Sequence, residues 1–324
     1  MSQSVSPLKI AFVVDPLAKL KVKKDTSVAM MAAAAARGHR IFTCEQGDIA
    51  LVDGRVVSRF VELELTGEVP HWHRAGPPAE FALSDFGAVL MRKDPPFDME
   101  YVYSTYLLEH AARQGALVVN DPRAVRDNNE KYSITEFPAL TTEVVVTRDP
   151  ARLRHFVDCH DEAVFKLLDG MGGASIFRVT ARDPNFSVII ETVNLFGART
   201  VMAQKYLPAI AEGDKRVVII DGEVVPYCLA RIPKQGESRG NLAAGGTGRA
   251  QPISARDREI AETVAPILAA RGLFLVGLDV IGDSLTEINV TSPTGFREIA
   301  DQTGFDVADL FISRLEALVA RRAA

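Results

Sequence analysis

The sequence predicts a mixed α/β chain in which an open α/β domain is followed by a region built mainly from antiparallel sheet. Three features point there. Short apolar runs alternate with helix-forming stretches as far as Val119, hairpin signals and short strands take over from about Asp121, and the strand-like segments 163–168 and 175–179 are separated by a glycine-rich turn.

In chain order, Leu8 to Val14 is an apolar strand that ends in Asp15-Pro16. Asp25-Thr26 can cap a helix that runs through the alanine-rich stretch to Arg37 and stops at Gly38. Ile41 to Cys44 resumes a strand, Val52-Asp53-Gly54-Arg55 is a hairpin signal, and Ala88 to Met91 is a buried strand. A helix over Asp98 to Gln114 and a strand over Leu117 to Val119 complete the first domain. Ligands of open α/β sheets sit beyond the carboxyl ends of the strands, so Asp15 and Arg92-Lys93-Asp94-Pro95-Pro96 are candidate contacts. The second region is expected to hold helices near 129–137 and 151–160, strands over 163–168, 175–179 and 200–205, and a hairpin over 215–225 that turns at Asp221-Gly222. A helix over 254–270, two strands over 273–281 and 285–290, and a helix near 307–322 end the chain, which carries no internal repeat.

At 324 residues and 47% hydrophobic content the chain can bury a large core, in two or three packed domains. Its longest apolar runs are about half of the ~20 residues that a bilayer span needs, and the first residues lack the pattern of a secretory signal, so the cytoplasm is the expected compartment. Cys44, Cys159 and Cys228 are scattered, which argues against a disulfide framework and a zinc site. A net charge of −5 gives no general attraction to nucleic acid or acidic membrane. Small molecules are the expected partners.

Four constellations carry chemistry. In Phe165-Lys166-Leu167-Leu168-Asp169-Gly170-Met171-Gly172-Gly173-Ala174-Ser175 no Gly-Lys-Ser/Thr follows and no helix is expected next, so it is neither a Walker A loop nor a dinucleotide fingerprint. Glycines between two strands can still bring backbone N–H groups onto phosphate, with Lys166 in reach; the plainer alternative is an edge-strand lysine. Asp279, Glu287 and Asn289 are oxygen donors in strands otherwise made of Val, Ile and Leu, a set that suits Mg²⁺ bridging substrate phosphates. Glu287 and Asn289 share a face. A three-residue turn at Gly282-Asp283-Ser284 would pair Asp279 with Glu287, whereas a two-residue turn would put it on the other face. Met202 to Pro208 can offer backbone groups to a base edge between apolar side chains, and is otherwise ordinary core strand. Ile232 to Arg249, with five glycines and the arginines Arg239 and Arg249, reads as a lid or a solvated loop. Arg92, Arg216 and Arg231 could clamp carboxylates. No nucleophile elbow is present.

These segments resemble bacterial glutathione synthetase, of the ATP-grasp superfamily, over nearly the whole chain. The resemblance rests on the runs 91–98, 168–178, 213–217, 226–233 and 239–246, and on Thr286-Glu287-Ile288-Asn289-Val290-Thr291-Ser292-Pro293-Thr294. Leu167 and Gly295-Phe296 depart from the family pattern. The resemblance implies an N-terminal pre-ATP-grasp α/β domain (1–122), a lid subdomain (123–205) and a catalytic subdomain (206–324) with a flexible loop at 232–249, two antiparallel sheets enclosing the nucleotide. It implies that Lys131, Lys166 and the glycines 170, 172 and 173 meet ATP phosphates, that Gln204, Lys205, Tyr206 and Leu207 hold adenine, and that Asp279, Glu287 and Asn289 hold Mg²⁺ or Mn²⁺. It also places Arg92, Arg216, Arg231, Arg239, Ser292 and Thr294 near substrate, with Arg216, Arg231 and Arg239 nearest the reaction. The implied activity is ATP-dependent ligation of γ-glutamylcysteine to glycine through an acylphosphate, by a homo-oligomer, a tetramer by resemblance. Ligases of the same superfamily with other substrates, and a non-catalytic nucleotide binder, are the rivals. The arginine set and the lid sequence count against the first, and the intact Asp279, Glu287, Asn289 set counts against the second.

Overall fold

The structure, a computed structural model, describes residues 6–172, 175–234, 240 and 245–323. It is organised around three sheets.

The first sheet has the order β3-β4-β2-β1-β7-β8. Its parallel centre is β2 (Arg40–Cys44), β1 (Lys9–Val13), β7 (Ala88–Met91) and β8 (Val118–Val119). Buried on both faces, β1 is a near-continuous apolar run. The antiparallel flank comprises β3 (Ala50–Val52), β4 (Arg55–Leu65), β5 (His73–Ala75) and β6 (Ala79–Ala82). Asp53 and Gly54 turn the β3–β4 hairpin with φ of 48° and 79°, the left-handed pair that matches strand twist. Helix α1 (Thr26–Ala36) starts where the Asp25 carboxylate accepts the Val28 N–H at 3.0 Å, a cap that contributes about 1 kcal/mol. Helix α2 (Met99–Arg113) is capped in the same way by Asp98.

Helix α3 (Pro122–Asp127) and a 3₁₀ turn over Tyr132–Glu136 follow. The helix expected near 129–137 is therefore displaced: Pro122 at the first helical position and Asp121 as cap start it earlier. The second sheet, β11-β10-β12-β9, contains β9 (Val144–Thr147), β10 (Glu162–Leu167), β11 (Phe177–Thr180) and β12 (Val201–Lys205), all antiparallel. Helices α4 (Pro150–His160) and α5 (Phe186–Asn194) cover one face with Leu153, Val157, Phe186, Ile190 and Val193.

The third sheet, β15-β14-β13-β16-β17, contains β13 (Asp214–Ile220), β14 (Glu223–Ile232), β15 (Thr247–Pro252), β16 (Leu275–Ile281) and β17 (Ser284–Asn289). The segment expected as a loop over 232–249 is shorter than that, because β14 runs to Ile232 and β15 begins at Thr247, in register with it. Helix α6 (Ala255–Ala270) packs on one face against Val217, Ile219 and Leu278. On the other face Val218, Ile220 and Leu229 meet α7 (Phe296–Thr303) and α8 (Val307–Ala323). Helix α8 also lies along α1, where Arg37 bonds Asp309 and Glu316, and His39 bonds Glu316. The last helix thus joins the first and third sheets in one core with Phe12 and Met30. Residues 130–141 dock on the outer edge of β17: Leu285 N–H donates to Leu140 O and Ile288 N–H to Glu130 O. Cys44 and Cys228 are buried and Cys159 is exposed; burial pushes the first two thiols up to about 12 and about 11.

Candidate active site

One face of the third sheet is polar at one end, and side-chain alternation explains which residues share it. Asp214 and Arg216 are two apart on β13, Leu229 and Arg231 on β14, Asp279 and Ile281 on β16, Glu287 and Asn289 on β17; all eight line a cavity of about 310 Å³. The register pairs Asp214 with Arg231 and Arg216 with Asp279. Arg216 donates to both Asp279 oxygens at 2.6 and 3.1 Å, and Arg231 sits 2.8 Å from Oδ2 while holding Asp214.

The pairing of Asp279 with Glu287 arises by a route not expected from the sequence. The turn has two residues, Gly282 and Asp283, since Ile281 pairs with Ser284 and Val280 with Leu285. A bulge at Thr286 then restores the register, so that Asp279 faces Glu287. The Thr286 hydroxyl donates to Asp279 O at 3.1 Å, which holds the bulge in place.

Burial opposes charge on Asp279, but Arg216 and Arg231 overcome it and hold the carboxyl well below the ordinary range. Asp214 receives less of that help: burial, reinforced by repulsion from Asp279, raises it to about 6 against the pull of Arg231. Lys131 Nζ lies 3.1 Å from Glu287 Oε1 and 2.5 Å from Gly170 O. Burial disfavours the Lys131 ammonium, yet Glu287 and Glu130 beside it keep its pKa raised. Among the described residues Lys166 Nζ bonds only the neutral Gln204 Oε1, at 2.7 Å, and burial lowers its pKa. Gly170 and Gly172 are on the cavity wall, and Asn129 ties their turn down through Leu168 O. Gly173 and Arg239 lie outside the described residues.

Gln204, Lys205, Tyr206 and Leu207 form the apolar end of the cavity with Ile210. The backbone donors expected to meet a base are fewer than anticipated, because Lys205 N–H bonds Glu143 O and Tyr206 N–H bonds Glu162 O. Among the described residues, no acceptor faces Leu207 N–H, and Gln204 Nε2 is buried without a partner. Arg178 stacks on the Tyr206 ring at 3.9 Å.

Arg92 is off the cavity wall. Its guanidinium bonds Ser27 Oγ and Pro293 O, and Ser292 Oγ donates to Arg92 O, so it braces the Ser292-Pro293-Thr294 turn from behind. Ser292 and Thr294 themselves line the cavity. Sequence reasoning missed Asp214, Thr286 and Glu130 on this wall. Asp214 was detectable as the residue two before Arg216 on one strand; the other two depend on tertiary docking.

Among the described residues no three His, Cys, Asp or Glu side chains converge, so a cation here would depend on an amide oxygen and on substrate oxygens. Glu287 and Asn289 each have an oxygen that fits one, whereas both Asp279 oxygens are held by Arg216 and Arg231. Asn289 Nδ2 donates to Gly277 O, which turns Oδ1 away from the backbone, and Glu287 Oε2 has no partner among the described residues.

Residues 8–126 match the family model described as the prokaryotic glutathione synthetase N-terminal domain, and 130–304 that of its ATP-grasp domain. The chain is 58% identical over 318 residues to a glutathione synthetase of Nitrosomonas europaea, covering 97% of this chain and 99% of that one. It is 50% identical to a glutathione synthetase of Salmonella typhimurium, over 97% and 100%. The D-cycloserine synthetase DcsG has the same fold at a TM-score of 0.68 and 16% identity, over 96% and 99%. The ATP-grasp ligase PsnB, in complex with a phosphomimetic variant of minimal precursor, Mg and ADP, aligns at 0.64 and 19%, over 96% and 98%.

Proposed function

The chain belongs to the prokaryotic glutathione synthetase family, and on that premise we propose that it joins γ-glutamylcysteine to glycine with ATP as phosphoryl donor. The family makes it an ATP-dependent ligase that forms a C–N bond. The observation that carries the reading is the one cavity lined by Lys131, Lys166, Arg216, Arg231 and the Asp279, Glu287 and Asn289 side chains.

A carboxylate is a poor electrophile, so the dipeptide's terminal carboxylate first takes the γ-phosphoryl group. Lys131 and Lys166 hold the phosphates, assisted by backbone N–H groups of the 170–172 turn. The neutral partner of Lys166, Gln204, leaves its charge free for an anion. Gln204 Nε2, Leu207 N–H and the Tyr206 segment hold the base. Arg216 and Arg231 orient the reacting carboxylate and stabilise the oxyanion formed when glycine's amine attacks the acylphosphate. Asp214 and Asp279 fix both guanidiniums in place, so they need no reorganisation as that charge develops. A Mg²⁺ or Mn²⁺ ion held by Asp279, Glu287 and Asn289 would neutralise charge on the transferring phosphoryl group. Arg239, outside the described residues, is proposed to act with Arg216 and Arg231 at the reaction centre. The division into 1–122, 123–205 and 206–324, a cytoplasmic compartment and a homotetramer are part of the same proposal. Within it, Met99, Tyr103 and Tyr106, each at least half exposed along one stripe of α2, offer an apolar face for subunit contact.

The test is ADP release from ATP and Mg²⁺ with γ-glutamylcysteine plus glycine, with each omitted in turn and with D-alanine as alternative. Release that needs both substrates, with glutathione as product, establishes the activity. Release only with another acid and amine pair refutes the substrates.

A further inference from the structure

Residues 142–206 carry the second sheet, and among the described residues two hydrogen bonds tie them to the rest of the chain beyond their own ends. Both land on the glycine turn, and both come from one short segment: Asn129 Nδ2 donates to Leu168 O at 2.9 Å and Lys131 Nζ to Gly170 O at 2.5 Å. Val144, Val146, Leu168 and Met202 also pack on the core that holds Leu278 and Ile288, but apolar contact has no direction. The two donors therefore set where the turn sits on the cavity wall.

The segment that supplies them is itself anchored on the third sheet. Ile288 N–H donates to Glu130 O at 2.8 Å, and Glu130 Oε1 accepts Val290 N–H at 2.9 Å and Thr291 N–H at 3.0 Å. Asn129 is fixed in turn, because its Oδ1 accepts Lys131 N–H at 3.2 Å and Tyr132 N–H at 2.9 Å. Backbone N–H groups only donate, so they settle which end of the amide is oxygen and leave Nδ2 for Leu168 O. The two donors differ in their duties. Lys131 lines the cavity and divides its ammonium between Gly170 O and Glu287 Oε1, with a third N–H for a phosphate oxygen. Asn129 lies off the cavity wall and carries no charge.

We infer that Asn129 is a positioning residue, which sets the glycine turn against the ATP phosphates through Leu168 O without touching the nucleotide. The inference deepens the ligase reading, which supplies ATP as the ligand of that turn.

Two variants isolate the contact. Asn129→Asp keeps an oxygen for the Lys131 and Tyr132 N–H groups and loses only the donor; Asn129→Ala loses the donor without adding charge. Titration calorimetry measures the binding of ATP, and of adenosine, which reaches the base end alone, in both variants and wild type, with the thermal midpoint confirming folding. Loss of one neutral hydrogen bond to the turn predicts ATP binding weakened about fivefold in both variants, with adenosine unchanged. Amide exchange over 168–172, which needs no ligand, should accelerate in both while that of Ala163 and Phe165 holds. If wild type binds no ATP, the ligase reading fails, and the exchange result still decides whether Asn129 positions the turn. Unchanged ATP affinity in both variants, or an equal loss for ATP and adenosine, overturns the inference. So does weakening in Asn129→Asp alone, which is an effect of its charge, and so does unchanged exchange over 168–172.

Discussion

Lys166 and Glu287 show how neighbours decide what a charged side chain can do. A lysine is charged below its pKa and neutral above it, and burial lowers that of Lys166 in the free protein. Affinity for ATP should therefore decline with rising pH before the ordinary lysine range is reached. Lys166→Arg, charged throughout, should abolish that decline; titration calorimetry across pH 7 to 10 checks it, and identical profiles would remove Lys166 from the phosphate site. Glu287→Gln keeps side-chain shape on β17 and should lower kcat by about 100-fold or more with little change in thermal midpoint. Wild-type turnover in that variant would remove Glu287 from the chemistry. Part of the site was legible at this scale because alternation along a strand puts Glu287 with Asn289, and the same alternation would have put the missed Asp214 with Arg216. Glu130 was not, since its value comes from N–H groups 160 and 161 residues away.

Among the elements, the β16–β17 hairpin has the sharpest consequence. Two residues in the turn alone would have put Asp279 and Glu287 on opposite faces, and Thr286 supplies the residue that corrects this. Deleting Thr286 should turn Glu287 and Asn289 toward α6 and abolish ligation, whereas Thr286→Ser, which keeps the hydroxyl on Asp279 O, should retain most of it. Comparable activity in both variants would mean that the bulge does not set the register. Bulges leave little trace in a sequence, because the alternation on either side of them is intact. Helices α5 and α7 were not read for a different reason: they span only Phe186 to Asn194 and Phe296 to Thr303, so neither shows a long helical period. Capped helices such as α1 and α2 were legible because Asp25 and Asp98 mark their starts.

For the molecule as a whole, the order of open α/β domain and antiparallel sheets was readable from the change of pattern near Asp121, but the packing of the last helix on the first was not. Phe311 is 1% exposed and shares a core with Phe12, Met30 and Phe274. Phe311→Ala should cost about 3–5 kcal/mol and lower one cooperative transition, with amide exchange accelerating in β1 as well as in α8. Exchange confined to α8 would show that the seam is not shared. The docking of residues 130–141 onto β17 also ties catalysis to synthesis of the chain. Glu130 leaves the ribosome on the order of 10–30 s before its partners at 290 and 291 at ordinary elongation rates. A chain interrupted before Thr291 therefore cannot complete this wall of the site.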